Sequence, residues 1–93
     1  MIRSFQCSKT RRLFRRELVR EFTNIASVAL RRLVLLDSAQ ALSDLSIPPS
    51  NRLEALSGNR KGQHSIRIND QYRICFTWRD GNAEDVEITK HYR

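Results

Sequence analysis

Long apolar runs are missing from this sequence. None exceeds the four residues Leu33 to Leu36, whereas a membrane-spanning helix needs ~20 and a secretory leader needs a continuous apolar stretch behind a basic start. A cytosolic protein with no membrane association is the expectation. Cysteine is scarce, and Cys7 and Cys75 show neither CxxC spacing nor a matching His cluster for zinc. Two free thiols in a reducing compartment are expected, with no metal and no cofactor. Acidic residues are outnumbered, 10 against 17 Lys and Arg, which leaves +7 and an isoelectric point near 10.4.

Such an excess implies an anionic partner, either nucleic acid or an acidic protein. Fourteen of the basic residues are Arg, whose guanidinium forks onto phosphates and stacks on bases. At 93 residues, 40% apolar and 29% charged, the chain is expected to fold as one globular domain over residues 1–93.

Ile2-Arg3-Ser4-Phe5 alternates and reads as a short strand. Ser8 is placed to cap a helix from Lys9 to about Leu18, with Leu13, Phe14 and Leu18 at helical spacing and Arg11, Arg12, Arg15 and Arg16 on the remaining surface. Two readings of that basic face stand side by side: a phosphate-facing or partner-facing surface, or a solvated face offset by Glu17 and Glu21. Thr23 or Asn24 caps a second helix through Ile25, Val28, Ala29, Leu33 and Leu36 to about Asp37. Ser38 opens a further turn through Leu42 and Leu45, which Pro48 and Pro49 end. Residues 51–63 read as a polar loop.

Beyond it the hydrophobic period becomes two. His64 to Ile68 and Tyr72 to Trp78 form a hairpin, and Val86 to Tyr92 supplies a third strand after the Asp80-Gly81-Asn82 turn. Residues two apart share a face. Ile66, Ile68, Tyr72, Ile74, Phe76, Trp78, Val86 and Ile88 therefore face the helices. Ser65, Arg67, Arg73, Cys75, Thr77, Glu87, Thr89 and His91 share the open face. A tight turn at Gly81 places Trp78 across from Val86 and Arg73 across from His91. As an open-face residue, Arg73 is expected to contribute little to stability.

RNA cleavage requires a base for the 2′-hydroxyl, a cation for the developing phosphorane and an acid for the leaving 5′-oxygen. His91 titrates near neutrality, Tyr92 is able to donate a proton or stack on a base, and Lys90 and Tyr92 reach solvent at the sheet rim. The same residues also read as an Arg-rich binding face without chemistry, with Arg73 paired to Glu87. In the loop, Arg60, Lys61 and His64 either hold an RNA backbone or are plain surface charge. Gly58 and Gly62 serve positive φ rather than phosphate binding, since no helix follows them.

The order of elements and several segments together resemble the HigB family of toxins, within the RelE/ParE superfamily of bacterial toxin–antitoxin systems. The likeness spans nearly the whole chain: Met1-Ile2-Arg3-Ser4-Phe5, the helical stretch with Leu33 to Asp37, and Asn51-Arg52-Leu53-Glu54-Ala55-Leu56-Ser57-Gly58-Asn59-Arg60. It continues through Gly62-Gln63-His64-Ser65-Ile66-Arg67 and Asn69-Asp70-Gln71-Tyr72-Arg73-Ile74-Cys75-Phe76. The resemblance implies an α+β, RelE-like compact domain, with N-terminal helices packed on a small, mainly antiparallel sheet. It implies an enzyme, a ribosome-dependent mRNA endonuclease that cuts in the A site without a metal and so inhibits translation. It also implies a HigA-like helix-turn-helix antitoxin that neutralises the toxin and joins it on operator DNA.

By position, Arg73 matches the family's strand Arg at the scissile phosphate, and Lys90-His91-Tyr92 occupies the catalytic tail. Many relatives end in Asp-Tyr-His, and some carry His and Lys where Glu54 and Ser57 stand here. The superfamily also contains DNA gyrase inhibitors that cut no RNA, and a basic nucleic-acid-binding module without toxicity is the third reading. The endonuclease is the preferred expectation.

Overall fold

The computed structural model describes residues 1–90. Helices α1 (Ser8–Phe14) and α2 (Ala26–Ser38) precede an antiparallel sheet, β1 (Glu54–Ala55), β2 (His64–Arg67), β3 (Tyr72–Arg79) and β4 (Asn82–Lys90), whose strands lie side by side in that order. Leu13 of α1 and Leu33 and Leu36 of α2 share one buried cluster with Ile66, Ile74, Phe76 and Ile88 of the sheet. This is the α+β arrangement expected from the change of period.

Helix α1 is shorter than its apolar spacing suggests. Arg16 adopts φ 65°, its N–H donates to the Leu13 carbonyl and that of Glu17 to the Arg12 carbonyl. That pair of bonds is a Schellman stop, usually announced by Gly but here built on Arg. The helix therefore ends at Phe14, and Leu18 is left 81% exposed. Ser8 is the first helical residue rather than the cap, which is Cys7.

The second helix follows its periodicity, with Ala29, Leu33 and Leu36 wholly buried. Its cap is Ile25, not Thr23 or Asn24, because the Thr23 hydroxyl donates back to the Arg20 carbonyl at 2.8 Å. Ser38 likewise bonds backwards, to the Leu35 carbonyl. The next turn is held instead by Asp44, whose carboxylate accepts the N–H groups of Gln40 and Ala41 at 3.0 Å each. Those bonds, Ala41 first, hold the Asp44 carboxyl below its ordinary pKa. Past the prolines, buried Asn51 donates to the carbonyls of Leu45 and Ile47. Glu54 and Ala55, part of the expected loop, pair with Ser65 and His64 as strand β1.

Strand β4 begins earlier than expected. Asp80 and Gly81, both at positive φ, form the two-residue turn that suits a hairpin's twist, so Arg79 pairs with Asn82 and Trp78 with Ala83. The register slips between Cys75 and Thr77, and Asp85, φ 53°, is the extra residue of a β-bulge. Ala83 and Val86 consequently both face the core. Arg73 pairs with Thr89, which corrects the expected pairing with His91. The N-terminal segment runs parallel to the outer edge of β4, with bridges from Ile2 to Ala83 and Phe5 to Val86. Farther along that edge, buried Thr10 of α1 accepts the Ile88 N–H at 3.0 Å.

Candidate functional site

The sheet face away from the helices is organised by register. Glu54, Ser65, Cys75 and Glu87 form one cross-strand row, and Arg67, Arg73 and Thr89 form the next. Arg73 reaches diagonally from its row into the other. Its Nε donates to Ser65 Oγ at 2.7 Å and its Nη2 to the Arg52 carbonyl at 2.7 Å. The Glu54 carboxylate lies 3.9 Å from Nη2.

This cation is only 8% exposed. A buried charge is stable only when hydrogen-bonded and paired, and the surroundings of Arg73 meet that condition. The expectation of an open-face Arg with little role in stability is therefore corrected: the Arg52–Glu54 segment covers it. Left-handed Arg52, φ 47°, turns its carbonyl onto the guanidinium. The alternative ion pair with Glu87 does not form, because Glu87 binds Arg60.

Arg60 Nη2 lies 3.1 Å from Glu87 Oε1, and its Nη1 donates to Gln63 Oε1 at 3.0 Å. Gly58 and Gly62, at φ 63° and 95°, close the loop that carries it. Gln6, Asn59, Arg60, Gln63 and Glu87 line an open groove of about 530 Å³. Lys61, on the same loop, is exposed. His64 has the parity of Ile66, stacks against Phe76 with ring centroids 6.2 Å apart, and so lies on the helix-facing side, apart from Arg73. Its Nδ1 is buried without a partner among the described residues.

Arg67 forms an ion pair with Asp70. Arg12 of α1 is bonded to Glu17 and to the Leu18 carbonyl, and Arg16, past the helix end, to the Phe14 carbonyl. Arg11 and Arg15 are exposed with no side-chain partner among the described residues. Lys9 binds Glu21 at 2.7 Å; that hydrogen bond, aided by Coulomb attraction, raises the Lys9 pKa and lowers that of Glu21. Lys90, paired with Tyr72, holds its Nζ 5.9 Å above the Tyr72 ring. His91 and Tyr92 lie outside the described residues.

The structure thus brings together Arg73, Ser65, Glu54 and the Arg52 carbonyl at one end, and Arg60, Gln63, Glu87, Asn59 and Gln6 beside them. It places His64 on the other side, and Arg11, Arg12, Arg15 and Arg16 make no hydrogen bond or ion pair with these groups among the described residues. Reading the sequence did not identify Ser65 as a partner of Arg73, or Gln6, Asn59 and Gln63 as neighbours of Arg60. Parity had put Ser65 on the right face. Gln6 joins through a parallel pairing between the two chain ends that carries no local signal.

What the arrangement can do is hold a largely desolvated positive charge on the open sheet face, next to a polar groove. Among the described residues no group of three or more His, Cys, Asp or Glu side chains is placed to hold a metal, and no helix is long and apolar enough to cross a membrane. In comparisons with known proteins, residues 3–91 match the family described as the RelE-like toxin of the type II toxin-antitoxin system HigB. Toxin HigB-1 of Vibrio cholerae is 51% identical over 69 residues, 74% of this chain and 73% of that protein. An uncharacterised protein of Haemophilus influenzae is 29% identical, over 74% of this chain and 68% of its own length. In fold, the chain is similar to the YoeB–YefM complex from Staphylococcus aureus, with TM-score 0.58, 17% identity and 99% of each chain covered. A heterotetrameric YoeB–YefM toxin–antitoxin complex from the same organism gives TM-score 0.58 at 15% identity, covering 100% of this chain and 99% of that one. The chain belongs to the HigB-like toxins, the RelE-like toxins of type II toxin–antitoxin systems.

Proposed function

We propose that this toxin is a ribosome-dependent endoribonuclease that cuts mRNA in the A site and so stops translation. The observation that carries the reading is Arg73: two 2.7 Å hydrogen bonds fix its Nε and Nη2, and its Nη1, without a partner among the described residues, is left to meet charge that develops on a phosphorane. Preorganised charge in a dry site acts more strongly than the same charge in water, and it needs no reorganisation as the reaction proceeds.

In this reading His91 and Tyr92 move the protons, taking one from the 2′-hydroxyl and giving one to the leaving 5′-oxygen, and Lys90 adds positive charge at the rim. Arg60, Lys61 and Arg67 contribute to RNA or ribosome binding, and His64, on the helix-facing side, stands outside that set. The ribosome holds the codon in a reactive geometry, and positioning alone is worth ~7 to 11 kcal/mol. Arg11, Arg12, Arg15 and Arg16 form a binding surface for ribosomal RNA or for the partner. That partner is a HigA-like helix-turn-helix antitoxin, with which the toxin joins operator DNA in the cytoplasm.

The test is inducible expression with mapping of mRNA 5′ ends, and purified toxin on the same RNA with and without ribosomes. New 5′ ends that appear only with ribosomes are the expected result. Efficient cutting of naked RNA at submicromolar protein removes the ribosome requirement. DNA damage with intact mRNA assigns the chain to gyrase inhibition instead.

A further inference from the structure

The groove beside Arg73 is built unlike a phosphate site. The cation that lines it, Arg60, is already engaged by Glu87 at 3.1 Å and by Gln63 at 3.0 Å. The Glu87 side chain, 26% exposed, lines the same space and repels an anion. What remains is a near-neutral wall of amides, a guanidinium and a carboxylate, from Gln6, Asn59, Gln63, Arg60 and Glu87. That set reads hydrogen-bonding edges rather than charge. The volume of this open groove, about 530 Å³, falls within the ~300 to 1,000 Å³ of small-molecule sites.

We infer that this groove binds an unstacked guanine of the RNA, with Glu87 as the residue that selects it. A carboxylate accepts two hydrogen bonds side by side, and of the four RNA bases only guanine offers two adjacent donors, N1–H and the N2 amino group, on its pairing edge. Adenine and cytosine each put a ring acceptor where the second donor is needed, and that lone pair faces the carboxylate unfavourably. Uracil supplies a single donor. Guanine O6 then accepts from the Arg60 guanidinium or from the amides of Asn59 and Gln63. RNA sequence is characteristically read in this way, on splayed-out bases.

Register ties the groove to the Arg73 row. Glu87 pairs with Cys75, two residues along β3 from Arg73, a distance of ~7 Å along a strand. A base held against Glu87 therefore lies one cross-strand row from the fixed Arg73. The inference rests on reading this face as an RNA site. Its test measures nucleotide binding by the free protein, without ribosomes, so its failure is distinct from a failure to cut mRNA.

The experiment is titration of the isotope-labelled toxin with GMP, IMP, AMP and ribose 5-phosphate, following the side-chain amide signals of Gln6, Asn59 and Gln63. GMP is expected to shift these signals saturably. IMP, which lacks the N2 amino group, is expected to bind about tenfold more weakly, the scale of one lost hydrogen bond to a charged group. AMP and ribose 5-phosphate are expected to leave the signals in place. Glu87→Gln should abolish the preference for GMP over AMP while the protein's other signals confirm its fold. Equal binding of GMP and AMP, equal shifts with ribose 5-phosphate, or no shift of these signals with GMP each overturns the assignment. So does a Glu87→Gln protein that keeps its guanine preference.

Discussion

Ser65 and Arg73 sit on adjacent strands, two residues out of cross-strand register, and are joined by a 2.7 Å hydrogen bond from the guanidinium Nε to the serine hydroxyl. Ser65 itself is wholly buried. The bond therefore fixes the direction of a buried cation by means of a neutral group that is itself cut off from water.

Arg73→Ala should lower ribosome-dependent cleavage ~100- to 1,000-fold, the usual loss when one preorganised donor to a transition-state charge is removed. Stability should fall with it. The variant leaves the Ser65 hydroxyl and the Arg52 carbonyl without this donor, at ~1 to 3 kcal/mol for an unsatisfied buried group. Primer-extension assays on translating ribosomes and urea unfolding measure the two effects separately. A folded variant that cuts at the wild-type rate removes Arg73 from the site.

Ser65→Ala isolates the positioning. Loss of one hydrogen bond to a charged group, ~1.5 to 3 kcal/mol, corresponds to a ~10- to 150-fold fall if the bond matters fully in the transition state. The fall should appear in kcat with KM for the ribosome complex unchanged. Ser65→Thr, which keeps the hydroxyl, should recover most of the rate. Equal losses in the Ala and Thr variants would point to packing instead.

The four arginines of the first helix and its exit should not behave alike. Arg12 and Arg16 are tied down within the chain, whereas Arg11 and Arg15 are exposed. Replacing Arg11 and Arg15 with Gln should reduce the salt slope of ribosome binding by ~0.7 to 0.9 for every phosphate that is no longer neutralised. The same change at Arg12 should have a smaller effect. Affinities measured across a salt series decide it, and an unchanged slope in the Arg11, Arg15 double variant makes this a solvated face.

Thr10→Val keeps the shape of a wholly buried side chain but takes away the acceptor of the Ile88 N–H. Denaturant unfolding should show a loss of ~1 to 3 kcal/mol. Amide hydrogen exchange should accelerate most at Ile88. An unchanged midpoint and unchanged protection there would show that the bond contributes nothing.

Asp44 gives stability an acid limb. Its carboxyl is held below the ordinary value in the folded chain by the Ala41 and Gln40 N–H groups, so its contribution is present above the unfolded-state pKa. It is lost as pH falls through the lower folded pKa. Thermal melts across the acid range should show Asp44→Asn less stable than wild type near neutrality, with the gap closing as pH drops. A gap that widens on acidification contradicts the assignment.

Much of the architecture was legible because periodicity reports burial directly. The apolar stripe from Ile25 to Leu36 and the alternation of β2 and β3 have each a single packing solution. Helix α1 was overextended because its stop depends on Arg16 adopting a left-handed conformation, which no Gly or Asn signals. The partner of Arg73 was misplaced by two residues, from Thr89 to His91, because neither the early start of β4 nor the bulge at Asp85 has a distinctive composition. The shift is even, so Arg73, Glu87 and Thr89 were nonetheless assigned to the correct face. The cover over Arg73 was not legible at all, since it comes from the backbone of Arg52 in a segment without regular pattern.

The way the N-terminal segment seals β4 limits how this sheet can associate with other chains. Exposed strand edges invite strand addition, by a partner peptide or by another copy of the same protein. Here the outer edge of β4 already gives its backbone groups to Arg3, Ser4 and Gln6 and, at Ile88, to Thr10. At the opposite end the edge strand is β1, two residues long, and the left-handed turn at Arg52 immediately precedes Leu53 at its entrance. Among the described residues neither border offers the long, straight backbone ladder from which sheets grow into aggregates, which leaves strand addition little to build on.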